Sequence, residues 1–181
     1  MPTEISGSTG VNKIQDNTIV NADINSSAAI AGSKLVMPTG SVLQVVSAKI
    51  TNEFTSTSSS YSDSAVTLSI TPSSSSNKVL VMVTLNGCIT WNNDTYAQFV
   101  LKRGSTEIHD MEASGGNTAS TASNGYGTVS VNHLDSPSST SSVTYTVAGA
   151  SANNSSYVRF NSDGANSRRA ESSITLMEIA G

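Results

Sequence analysis

Two histidines, one cysteine and thirteen carboxylates are what this chain offers for chemistry. His109 stands in the run Glu107-Ile108-His109-Asp110-Met111. On an extended backbone Glu107, His109 and Met111 share one face, while Ile108 and Asp110 share the other. Glu107 and His109 would give a metal two ligands, fewer than a protein zinc site uses; a third would have to come from elsewhere, such as the neighbouring subunit of an oligomer. His109 is therefore read as an exposed or hydrogen-bonded strand residue. His133, ahead of Leu134 and Asp135, is read as a residue at the edge of a loop. Nucleophilic catalysis needs a base beside a Ser or Cys and a third group to hold the base. No G-x-S-x-G elbow occurs, and the single Cys88 is read as a small buried hydrophobe. No phosphate-binding loop or dinucleotide fingerprint is present. Paired carboxylates for glycoside cleavage need no local motif, but Asp63, Asp94, Asp135 and Asp163 all fall near turn-like sequence. The expectation is a protein that is not an enzyme, with no catalytic residue, no metal and no cofactor.

The run Trp91-Asn92-Asn93-Asp94-Thr95-Tyr96 gathers an indole, two amides, a carboxylate and a phenol. Ring faces stack on sugar C–H groups, and amides and carboxylates bond hydroxyls, so such a set suits a carbohydrate or protein contact. The same run also reads as a plain connection in which Trp91 and Tyr96 cap the edge of a core. The stretch 112–125 is a long series of small polar residues, and connections of that length are functional or mobile.

These residues must be carried by strands. Val66, Leu68 and Ile70 alternate with Thr67 and Ser69, the period of a half-buried strand. Val79, Val81, Val83 and Leu85 share one face of 78–87, and Leu80, Met82 and Thr84 the other, so this strand is apolar on both sides and central. Further strands are expected over 41–50, 65–70, 96–103, 107–111, 126–134, 143–149, 156–161 and 172–180, with Gly104-Ser105 as a hairpin turn. Short strands at this spacing indicate an antiparallel sandwich or barrel, and about eight of them fit a jelly roll. The expected fold is all-β: a jelly-roll-like β-sandwich head over 40–181, preceded by an extended N-terminal arm over 1–39 that ends at Pro38 and Gly40.

The composition is unusual. Net charge is −4 and charged residues are 12% of the chain. Ser, Thr and Asn make up roughly two-fifths of it, far above ordinary usage. Disorder normally couples low hydrophobicity to high net charge, and here charge is low while apolar residues lie in clean runs. The basic pairs, Lys102-Arg103 and Arg168-Arg169, are too few for nucleic-acid binding. No apolar run reaches the length of a membrane span, and no secretion signal is expected from residues 1–20. The N-x-S/T patterns at Asn25, Asn93, Asn153 and Asn154 are read as chance matches.

Within the arm, Val11, Ile14, Ile19, Val20, Ile24, Ile30 and Leu35 are too few and too spread out to form a core, so they must be buried against copies or a partner. Fully extended, 39 residues reach about 130 Å. The phrase NADINSSAAIAGSKL at 21–35, followed by the β-rich stretch from Gly40, resembles structural and tail-fibre proteins of tailed bacteriophages, particularly marine ones. That resemblance implies a virion protein, homotrimeric, held to other virion proteins of tail or capsid by its arm. An opening strand that enters from an arm and a last strand closing beside it are also similar to the trimeric heads of the tumour-necrosis-factor and complement-globular type. On this reading the head touches a host-surface glycan or protein through Trp91, Asn92, Asn93, Asp94 and Tyr96, the candidate receptor contacts. The alternative it implies is a capsid decoration protein that grips and stabilises the shell through the arm. Nucleic acid and membrane insertion are not expected in either.

Overall fold

Ten strands form among the described residues of the computed structural model, which are 35–91, 96–112, 123–152, 156–162 and 170–181. The chain divides into two units, Met1–Val36 and Met37–Gly181, and the strands belong to the second. They are β1 (Val42–Ile50), β2 (Phe54–Ser56), β3 (Ser62–Ile70), β4 (Lys78–Trp91), β5 (Ala97–Arg103), β6 (Thr106–Glu112), β7 (Ser123–Asp135), β8 (Val143–Ser151), β9 (Tyr157–Phe160) and β10 (Ser172–Ile179). The expected all-β class holds, with every pairing antiparallel. β2 was not anticipated; three residues, two of them Thr and Ser, leave too little alternation to detect.

β4 is central, as its two apolar faces require. β7 runs along one edge of it from Val79 to Trp91. The other edge is shared: β10 pairs with Lys78–Thr84 and β9 with Ile89–Trp91. β1 continues beyond β10, and β2 beyond β9, completing a six-stranded sheet. The second sheet has the order β3-β8-β5-β6.

The sequence reading ended the central strand at Gly87, and the structure extends it to Trp91. Gly87 does not stop the strand because it sits at a β-bulge with φ +62°, a conformation that costs glycine nothing. Asn86, beside it, holds the branch point: its N–H donates to Ser172 Oγ (3.1 Å), its Nδ2 donates to Glu171 O (2.7 Å), and its carbonyl accepts from the Asn161 N–H (2.8 Å). His133 lies inside β7 rather than at a loop edge, because β7 continues to Asp135, which pairs with Val79. Asp63 is the second residue of β3 and Asp135 the last of β7, so both stand at strand ends beside connections, as expected.

One core joins the sheets. Val66, Phe99, Leu101, Tyr145 and Val147 come from the four-stranded sheet; Val79, Val81, Val83, Leu85, Phe160, Ile174 and Leu176 come from the other, and all are buried. Phe99 meets Phe160 edge-on across the interface, with centroids 5.9 Å apart, and Phe160 stacks on Phe54 at 5.0 Å. Each such side chain contributes about 1.5–3 kcal/mol on burial.

The registers also separate two ends. Val42, Lys78, Asp135 and Ile179 lie together, where the chain enters β1 and where β10 finishes. Trp91, Ser123 and Tyr157 lie together at the opposite end, with Ala97 beside Ser151 and Ser62 beside Gly149.

Candidate functional site

The end away from the chain's entrance collects the residues that suit contact with a partner. Trp91 closes β4 there, its backbone opposite Ser123 and Tyr157. Tyr96 opens onto β5, exposed, with its carbonyl accepting from the Ala152 N–H (3.1 Å). Tyr61 precedes β3 and is also exposed. Tyr157 begins β9, with the Arg159 guanidinium 3.9 Å from its ring centroid. Asn92, Asn93 and Asp94 lie outside the described residues, as do the arm residues Val11, Ile14, Ile19, Val20, Ile24 and Ile30; Leu35 is exposed.

The outer face of the four-stranded sheet adjoins this end. Asp63, Ala148, Val100 and Asp110 form one row across it, and Thr67, Thr146, Lys102 and Glu107 the next; the bulge opposite Leu101 and Lys102 breaks the plain alternation expected for 107–111, so Glu107 and Asp110 share this face and His109 takes the other. Lys102 Nζ reaches across β8 to Asp63 Oδ1 at 2.7 Å. Val100 and Ala148, although outward, are fully buried. The Tyr61 phenol is held above its ordinary pKa, first by partial burial and then by the negative charges of Asp110 and Glu107 and by Tyr96. An open hollow of about 530 Å³ lies along Glu107, Ile108, His109 and Asp110. Aromatic rings, carboxylates and an ammonium on one exposed region can stack on and hydrogen-bond a polar ligand.

The two histidines, treated separately in the sequence, come together. Their ring centroids are 4.9 Å apart, His109 from β6 and His133 from β7. Desolvation, then the neighbouring His109 and Arg103, hold His133 below its usual pKa, while Asp135 opposes the shift. No local signal in the chain announces this contact, since it exists only where the edges of the two sheets meet. Among the described residues no three His, Cys, Asp or Glu side chains are arranged to hold a metal ion.

Two buried carboxylates stand at the entrance end. Asp135 accepts from Arg103 Nη1 at both oxygens (2.8 and 2.9 Å) and from the Tyr145 hydroxyl (2.7 Å), tying β7 of one sheet to β5 and β8 of the other. Burial first, then the Asp135 carboxylate, push the Tyr145 phenol far above its ordinary value. Glu178 accepts from Asn77 Nδ2 (2.6 Å), Ser73 N–H (2.6 Å) and Oγ (2.7 Å), and Gln44 Nε2 (2.8 Å). Burial alone would raise its pKa; these donors outweigh that and hold it low. Cys88 is buried, and burial pushes its thiol up to about 12, the property of an inert structural cysteine.

No protein-family model matches the chain, and no curated protein matches it either.

Proposed function

We propose that this chain is a structural protein of a tailed-bacteriophage virion: a homotrimeric fibre or knob component that projects from the particle and binds the host surface. Its arm, residues 1–39, attaches it to other virion proteins, and its work is binding, not catalysis. The phrase at 21–35 supports the virion assignment. The observation that carries the binding role is the polarity of the β-domain. The chain enters at one end, while Tyr61, Tyr96, Tyr157 and the end of β4 at Trp91 gather at the other. A fibre head needs that polarity, with attachment behind and contact in front.

The head is a jelly roll on this reading. Setting aside the short β2 and β9, the order β1-β10-β4-β7 against β3-β8-β5-β6 supports it, since eight strands in two four-stranded sheets of this order make two Greek keys.

Immunogold labelling of phage particles tests the location: label on the tail is expected, whereas label over the head shell would replace this reading with capsid decoration. Trp91→Ala with Tyr96→Ala tests the contact. Attachment to host cells should fall while particle assembly and the circular dichroism of the purified chain stay unchanged, because Trp and Tyr dominate binding when a partner buries them.

A further inference from the structure

We propose that the flank of the sandwich where β6 faces β7 is an acid-operated closure: neutral His109 and His133 pack ring against ring and hold the two edge strands together, and protonation of both drives the strands apart. The closure belongs to the fold and stands whatever the protein binds.

Both sheets end on this flank. β6 is the last strand of the order β3-β8-β5-β6, and β7 lies outside β4, pairing with no other described strand. No backbone pairing among the described residues joins β6 to β7, so side chains close the gap between them. Leu101 stands opposite His109 and Val81 opposite His133; both are core residues, which puts the two imidazoles on inner faces. Their ring centroids lie 4.9 Å apart, with the planes tilted by 31°. Ile108, Met111 and Val131, from the same two strands, are partly buried against the core. A contact made by a few half-buried side chains, without a backbone ladder, opens at lower cost than the core does.

The surrounding charges decide what a proton does here. Asp135, two residues along β7, is the group that would favour an imidazolium. It already accepts from Arg103 Nη1 of β5 at both oxygens (2.8 and 2.9 Å) and from the Tyr145 hydroxyl of β8 (2.7 Å). Desolvation first, then His109 and Arg103, disfavour a proton on His133, and together they outweigh Asp135. On β6 itself, Glu107 and Asp110 stand on the outer face, as does Lys102 of β5, which pairs with Asp63 of β3. The inward residues of β4 beside β7, Val79, Val81 and Val83, carry no charge.

With both rings protonated, two imidazoliums and a guanidinium crowd one partly dry flank. Like charges about 5 Å apart, away from bulk water, repel by more than thermal energy. Separation returns both rings to water, so the open form binds protons more readily than the closed one. Closure is therefore complete above the ordinary histidine value of about 6.5 and is lost as pH falls below it. Each proton that the open form binds more tightly raises its population by up to about tenfold per pH unit. Opening uncovers Ile108, Met111 and Val131 together with two strand edges, and free edges are where another chain pairs.

Oxidation of the full chain by hydrogen peroxide, read at each methionine by mass spectrometry, tests the proposal. Met82 and Met177, outward on the six-stranded sheet, are internal references. Between about pH 7.5 and about pH 5 the rate at Met111 should rise about threefold relative to them, partial exposure in the closed form limiting the change. His109→Gln with His133→Gln should remove that rise. In a proton NMR titration, His109→Gln alone should raise the His133 midpoint by about half a pH unit, because one neighbouring positive charge is gone. A Met111 ratio that ignores pH overturns the closure, as does a rise that persists in the double Gln variant or one shared by all three methionines. If circular dichroism shows the double variant unfolded, the titration decides: a His133 midpoint indifferent to His109→Gln overturns the pairing on which the closure depends.

Discussion

The two ends of the β-domain are held by different physics. At the entrance end two buried carboxylates each gather several donors, Glu178 from Ser73, Asn77 and Gln44, and Asp135 from Arg103 and Tyr145. The C-terminal backbone is drawn in as well, since the Gly181 N–H donates to Asn77 Oδ1 (3.1 Å) and the Ala180 N–H to Ser41 O (2.9 Å). At the far end Tyr61 and Tyr96 are exposed, and the Arg159 guanidinium lies 3.9 Å from the Tyr157 ring centroid, beside the buried Ala97 and Ser151. Buried carboxylates with several donors each stand where the chain enters, and exposed rings stand opposite. A buried charge with a full set of donors is costly to disturb, whereas exposed rings carry little of the folding energy and are free to bind.

The largest effect should come from breaking the entrance end. Asp135→Ala leaves the Arg103 guanidinium and Tyr145 hydroxyl without their shared acceptor, so urea unfolding should show a loss of about 3–5 kcal/mol. Glu178→Ala should cost about 3 kcal/mol for the same reason, with the Asn77 amide and Ser73 N–H left unpaired. If either variant matched the wild type, its carboxylate would not be what holds the entrance end.

Acid sharpens the comparison. Glu178 has a lowered folded pKa, so its contribution is complete above the unfolded carboxyl value of about 4.3 and is lost as pH falls through the folded value. His133 is lowered too, so the unfolded chain takes up a proton first, below about 6.5, and stability falls as pH drops from there through the folded value. Thermal melts from pH 8 to 3 should therefore show two declines. His133→Gln should remove the upper one and Glu178→Gln the lower.

The far end should respond in binding and hardly at all in stability. Tyr96→Ala should change unfolding free energy by less than about 0.5 kcal/mol, as is usual for exposed sites. A larger loss would make Tyr96 part of the fold. The smallest expected signal is chemical: Cys88 should react with a thiol reagent only on unfolding, since its thiol is buried with a pKa near 12.

Much of the strand framework was legible in the chain. Period-two alternation located β3 and told inward from outward on it, because one face must be dry, and two apolar faces marked β4 as central. The hairpin at Gly104 was legible for a similar reason: its φ of +58° is a conformation glycine adopts freely. Trp91 and Tyr96 were legible as contact candidates because they belong to one short run. Tyr61 was not, since it comes near Tyr96 only through the pairing of β3 with β8 and β8 with β5.

By itself, then, the sequence determined the all-β class, the double-sided central strand and the absence of any local catalytic motif, all of which follow from the order of neighbouring residues. Tertiary structure decided the rest. It brought His109 to His133, gave Asp135 its Arg103 and Tyr145, and enclosed Glu178 in donors. Each of those arrangements depends on which strands lie side by side and in what register. Backbone hydrogen bonding across the sheet sets that register, and no stretch of the chain contains it.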